Sequence, residues 1–157
     1  MRVGIGHDTH RLGQGGPLRL GGIEIPHDRH LVGHSDADVL LHAITDALLG
    51  AAALGDIGEL FPDTDPANRG RDSADMLRLA YAKLRDAGYT IGNLDCIVFA
   101  QRPKLSPYKE AIRNQVAAIL GLEPACVGIK AKSGESVGEL GREEIMMAQC
   151  VVVLLRD

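Results

Sequence analysis

The sequence predicts a single-domain α/β (α+β) fold, a mixed β-sheet with helices packed on it. Strand-like and helix-like segments alternate along the chain, and the segment from Met146 to Leu155 is almost wholly apolar and rich in valine. Neither a repeat nor a low-complexity linker divides the 157 residues. That length fits one domain, 1–157, with a core of its own.

Val3 to His10 reads as a strand interrupted by glycines. Leu18 to Ile25 reads as a hairpin around a Gly21-Gly22 turn. Ser35 or Asp36 is expected to cap a helix carrying Val39, Leu40, Ala43, Leu48 and Leu49 towards Gly50. Phe61 to Pro66 holds too much proline for regular structure. A second helix is expected from near Ser73 to Gly88, with Met76, Leu77, Ala80 and Leu84 at helical spacing. Ile91 to Gln101 reads as a strand ended by Arg102-Pro103-Lys104, and Ser106-Pro107 opens a third helix that Gly121 closes. Val127 to Lys132 is a short strand, and Met146 to Leu155 suits a central, buried one.

Composition excludes several classes of function. The hydrophobic fraction is 45%, with no apolar run of about 18 residues, so no membrane span is expected. The formal net charge of −4 and the scarcity of aromatics, with no tryptophan, argue against a nucleic-acid surface. Cys96, Cys126 and Cys150 are widely spaced and odd in number, which fits reduced thiols rather than a disulfide framework. With no signal-peptide pattern at Met1, the expected location is cytoplasmic. Charge is segregated: nine acidic and two basic residues lie between His34 and Asp75, and six basic and two acidic ones between Arg102 and Lys132. A cation site in the first region and a phosphate-contacting surface in the second would explain both, and so would two solvated faces.

Asp8-Thr9-His10 places a carboxylate and an imidazole at i and i+2, on one face of an extended strand. Two such groups are part of a catalytic zinc set, which leaves a position open for substrate. His42 sits mid-helix among leucines and is either a core histidine or the third ligand. Asp38 and Asp46, four residues to either side, are the expected carboxylate partners that fix its tautomer. His34-Ser35-Asp36 stands at a helix start, where an anion is favoured. Lys132, Ser133, Gly134 and Glu135 follow a strand without matching any nucleotide-binding pattern. No nucleophile elbow or serine–histidine–acid order appears.

Gly6-His7-Asp8-Thr9-His10, His34-Ser35-Asp36-Ala37-Asp38 through Gly50, and Gly55-Asp56-Ile57-Gly58 to Pro66 resemble the 2-C-methyl-D-erythritol 2,4-cyclodiphosphate synthase family, nearly end to end. The resemblance implies a mixed sheet with helices on one face, assembled as a homotrimer with active sites between subunits. It implies conversion of 4-diphosphocytidyl-2-C-methyl-D-erythritol 2-phosphate, a cytidine diphosphate substrate, into the cyclic diphosphate with release of CMP. Asp8, His10 and His42 would hold Zn2+ or another divalent transition metal, and Glu135 would meet a Mg2+ or Mn2+ ion on the substrate diphosphate. His34, Ser133 and Glu135 form the implied catalytic set. Asp8, Thr9 and His10 would touch substrate. His34, Ser35, Asp56, Ile57, Gly58, Phe61, Pro62, Asp63, Thr64 and Asp65 would hold its methylerythritol phosphate end. Ala100, Gln101, Arg102, Pro103, Lys104, Leu105, Ser106, Lys132, Ser133, Gly134, Glu135 and Arg142 would hold the cytidine diphosphate, with Glu139 beside it.

Several positions, Ser133, Gly134, Ser136, Glu139 and His7, depart from the family pattern. Ser133 replaces a common threonine and keeps the hydroxyl. Gly134 and Ser136 predict a looser, less positive loop, and Glu139 stands where an aromatic is common. His7 adjoins the ligands but should point to the opposite strand face. Two rival readings remain: a metal-dependent nucleotide diphosphate hydrolase, and a non-catalytic trimer that binds metal or isoprenoid diphosphate.

Overall fold

The computed structural model of the chain describes residues 1–156; Asp157, the last residue of the expected domain, lies outside them. The N-terminal segment is one long strand, β1 (Arg2–Gln14), and the hairpin forms as expected from β2 (Leu18–Leu20) and β3 (Ile23–Ile25). Gly21 and Gly22 make its turn at φ 63° and 77°, a region glycine enters without steric cost. After β4 (Arg29–Val32), α1 (Val39–Ala52), the short α2 (Ile57–Leu60) and α3 (Ser73–Asp86) follow. Then come β5 (Tyr89–Phe99), α4 (Lys109–Leu120), β6 (Val127–Lys132), the single turn α5 (Gly138–Gly141) and β7 (Ile145–Arg156). Gly121 ends α4 in the left-handed conformation at φ 65°, as a C-terminal glycine should.

The main sheet runs β4-β1-β7-β5-β6, so the valine-rich β7 is central. All pairs are antiparallel except β5 with β6. β7 is buried on one face only: Val152 and Leu154 are inaccessible, whereas Val151 and Leu155 are 42% and 45% exposed. A run this nearly apolar suits burial on both faces; the helices cover one face, and the other is bare within a single chain. Among the described residues no helix is long and apolar enough to cross a membrane.

The glycines of β1 set how closely α1 approaches the sheet. A Cβ at Gly6 would lie 1.9 Å from the Ala43 carbonyl oxygen, and one at Gly4 2.0 Å from that of Ala47. Ala43, Ala47 and Ala51, one helical turn apart, thus rest on strand backbone. With α3 on its outer side, α1 has twelve of its fourteen residues buried, which explains apolar character around its circumference. That close seat carries His42 down to the strand.

Candidate metal-binding active site

Asp8 and His10 leave β1 on the face turned towards α1. His7 and Thr9 leave the other, where His7 Nε2 and Thr9 Oγ1 are 3.1 Å apart. From α1, His42 reaches the same point: Nδ1 lies 3.0 Å from Asp8 Oδ2 and 3.1 Å from His10 Nε2, and His10 Nε2 lies 2.9 Å from Asp8 Oδ2. A tetrahedral ion with bonds of about 2.1 Å needs ligand atoms about 3.4 Å apart, so three donors already converge at nearly the required spacing. His10 Nδ1 faces the Val32 carbonyl at 2.9 Å and must donate to it, leaving the Nε2 lone pair for the site. The donor set fits a divalent cation of the zinc type.

Burial alone would raise the Asp8 carboxyl, but hydrogen bonds from His10 and His42 and their charge hold it well below the usual carboxylate range. Burial lowers His10, yet its bond to Asp8 and that carboxylate's charge outweigh it and the net shift is upward. Burial pushes Asp38 up against three N–H donors, Gly22, Gly21 and Leu41. Asp46 is raised by burial and by nearby Asp56 and Asp8, against the opposing Ile57 N–H.

Asp38 and Asp46 are therefore occupied elsewhere, contrary to the expectation that they orient His42. Asp38 caps α1 through the Leu41 N–H and ties it to the hairpin through the Gly21 and Gly22 amides at 2.9 and 2.7 Å. It takes the capping role expected of Ser35 or Asp36, because the chain turns at Ala37 (φ 59°) before the helix begins. Asp46 accepts the Ile57 N–H at 2.8 Å and fixes the start of α2. What meets His42 Nε2 is a pair of hydroxyls, Ser73 Oγ at 2.9 Å and Ser35 Oγ at 3.0 Å.

Beside the triad lies a cavity of about 150 Å³ lined by His34, Ser35, Ile57, Gly58, Phe61 and Asp63, with Asn68 and Met76. Asn68 Nδ2 donates to the Pro62 carbonyl at 2.9 Å, and the Arg71 guanidinium stacks 4.9 Å from the Phe61 ring centre. Sequence reasoning missed Asn68, Met76 and Ser73 because each is ordinary in its own segment. Asp56 caps α2 and Asp65 caps the following 3-10 turn, so both shape the loop; Pro62 and Thr64 lie in it, outside the cavity lining.

The other set of expected residues gathers elsewhere. Ala100, Gln101, Pro103, Lys104, Leu105, Ser106, Lys132 and Ser133 line a second cavity of about 330 Å³ where β5 and β6 end. Arg102 lies 3.8 Å from Glu143, and Arg142 donates to Glu144 at 2.7 Å with Glu139 3.9 Å away. The expected looseness at Gly134 is not seen. Gln101 Oε1 accepts the Gly134 and Ser136 N–H groups, each at 3.2 Å, and a Cβ at Gly134 would meet Gly141 N at 2.8 Å. Within this tied loop Glu135 takes a φ of 49°, unusual for a side chain of its kind, with its carboxylate 3.4 Å from Ser133 Oγ. Register places Asp8 opposite Ala148, Ala148 opposite Val98 and Val98 opposite Ala131. The two sets thus occupy one end of the sheet, three strand spacings or about 14 Å apart at backbone level.

The model of the YgbB family matches residues 1–155 of the chain. A relative from Gemmatimonas aurantiaca, named 2-C-methyl-D-erythritol 2,4-cyclodiphosphate synthase, is 56% identical over 144 residues, 92% of this chain and 87% of that one. The solved bifunctional IspDF of Campylobacter jejuni is 42% identical with a TM-score of 0.95, over 99% of this chain and 42% of the longer one. A solved 2C-methyl-D-erythritol-2,4-cyclodiphosphate synthase in its CDP-bound form is 38% identical with a TM-score of 0.91, over 98% of this chain and 100% of the other.

Proposed function

Since the chain belongs to the YgbB family, we propose that it converts 4-diphosphocytidyl-2-C-methyl-D-erythritol 2-phosphate to 2-C-methyl-D-erythritol 2,4-cyclodiphosphate and CMP, a lyase step of non-mevalonate isoprenoid synthesis. The observation that carries this reading is the convergence of Asp8, His10 and His42 beside the cavity of His34, Ser35 and Asp63. It occurs in a chain that synthases of that name match over 92% and 98% of its length.

In the reaction an oxygen of the 2-phosphate bonds to the β-phosphorus, and the bond from that phosphorus to the bridging oxygen breaks, its electron pair leaving on CMP. The attacking oxygen is already anionic, so alignment and charge neutralisation supply most of the catalysis. Zn2+ held by Asp8, His10 and His42, with Mg2+ or Mn2+ at Glu135, would supply Lewis-acid charge to the diphosphate oxygens. His34 and Ser35 hold the methylerythritol phosphate end in the cavity of Ile57, Gly58, Phe61 and Asp63. Lys104, Lys132 and the polar groups of Ala100–Ser106 hold the cytidine diphosphate. The Ser133 hydroxyl and His34 donate to oxygens that gain charge in the transition state.

The two substrate surfaces belong, in this reading, to adjacent subunits of a homotrimer. Their separation of about 14 Å within one chain supports it, as does the bare sheet face, where Val3 and Ile5 are 63% and 69% exposed beside Val151. The three unpaired cysteines suit a reducing, cytoplasmic setting. Phosphorus NMR of the products tests the reaction directly. CMP with a cyclic diphosphate is expected; CMP with the acyclic 2,4-bisphosphate, which has no P–O–P bridge, would make the protein a hydrolase.

A further inference from the structure

We infer that Ser73, held by Asp36, is a positioning residue that lowers the cost of presenting His42 Nδ1 to a metal ion. The inference rests on His42 being a metal ligand. A neutral imidazole carries one N–H, and only the other nitrogen can ligate. Nδ1 is the nitrogen that points into the triad. Left to itself, the proton would favour Nδ1, because an N–H there meets the Asp8 carboxylate at 3.0 Å. Something must therefore draw it to Nε2.

A serine hydroxyl alone gives no such direction, since it donates or accepts equally well. Asp36 supplies it. Ser73 Oγ donates to Asp36 Oδ1 in a close contact. The same carboxylate accepts the Ser73 N–H at 3.2 Å, the Asp38 N–H at 3.4 Å and an Arg19 guanidinium N–H at 3.4 Å. Ringed by donors, Asp36 is committed as an acceptor. With its proton engaged there, Ser73 Oγ offers His42 only lone pairs, and Nε2 must bring the N–H. Ser35 Oγ sits at similar range but accepts the Ala37 N–H, and among the described residues no acidic group fixes its own proton.

The backbone holds this relay in register. Ser73 is fully buried at the first turn of α3. The preceding loop is laced to His34–Asp36 by Gly70 N–H to the His34 carbonyl at 2.8 Å and Asp36 N–H to the Arg71 carbonyl at 3.1 Å. The N-terminus of α3 is thereby connected through one hydroxyl to Nε2, the ring nitrogen that does not ligate.

Zinc affinity, measured by chelator competition with zinc alone, tests this together with nitrogen-15 spectra of the metal-free protein at alkaline pH. Ser73→Ala should weaken zinc binding about 10-fold, the scale of a lost ligand-orienting hydrogen bond. Ser73→Thr, which keeps the hydroxyl, should restore it. Asp36→Asn is the sharper test. Its amide can donate to Ser73, turn the hydroxyl proton towards Nε2, and weaken zinc binding about as much although the serine remains. In both weakened variants the His42 ring shifts should move towards the Nδ1–H tautomer, which loss of packing alone would not produce. Zinc affinity within twofold of wild type in Asp36→Asn, or unmoved His42 shifts, would overturn the inference. Should Ser73→Ala fail to fold, Ser73→Thr and Asp36→Asn carry the test. Absence of zinc binding by the wild type would refute the metal reading, while the ring shifts would still decide the tautomer.

Discussion

A metal ligand is legible in sequence when its partner is close along the chain. Asp8 and His10 could be paired because a strand returns to the same face every second residue. His42 could not, since its membership depends on how near α1 lies to β1. Its orienting groups were harder still. Ser73 reads as part of a helix start, and 31 residues separate it from the histidine it meets. The acidic neighbours that looked suitable, Asp38 and Asp46, are taken by backbone amides of the hairpin and of α2. The departures from the family pattern at Gly134 and Ser136 predict a looser loop around Ser133, whereas Gln101 ties it from another strand end. If the Ser133 hydroxyl stabilises developing charge, Ser133→Ala should slow turnover about 10²-fold with little change in zinc content. An unchanged rate would remove Ser133 from the catalytic set.

Among the elements, long periodic segments and glycine-marked turns were readable, and the short elements were not. β4 and the single-turn α2 and α5 hold too few residues to show a period; β4 is held by pairing with β1 and α2 by the Asp56 cap. The glycines that interrupt the alternation of β1 are what let α1 sit on it. Gly6→Ala would drive a methyl into the Ala43 carbonyl, 1.9 Å from its ideal position, so helix and strand must separate. The expected cost is about 3 kcal/mol in chemical denaturation, with loss of the metal site as His42 withdraws. Destabilisation below about 1 kcal/mol with zinc retained would mean that the close seat does not set the site.

At the scale of the whole molecule, the fold class followed from element order, but the bare face of the sheet did not. An apolar β7 reads the same whether its second face meets helices or another subunit. Charge segregation along the sequence suits two half-sites and two solvated faces alike, and the sheet brings Asp8 and Lys132 to one end on different strands. If neighbouring copies bring them together, a charge on the bare face should separate the chains without unfolding them, because Ile5 is 69% exposed in the single chain. Ile5→Glu should reduce the light-scattering mass from three chains to one of 16.7 kDa, and abolish turnover while each chain still binds zinc. A variant that remains trimeric would exclude this face from the interface.

On the proposed reading, the ion held by Asp8, His10 and His42 is required for a reaction that releases CMP. Metal analysis and a CMP-release assay on the same preparations of wild type and His42→Ala test it most directly. Wild type should carry about one zinc-type ion per chain and turn over the cytidyl substrate; His42→Ala should lose both together while keeping its helical signal. Full turnover by a zinc-free His42→Ala protein would contradict the account.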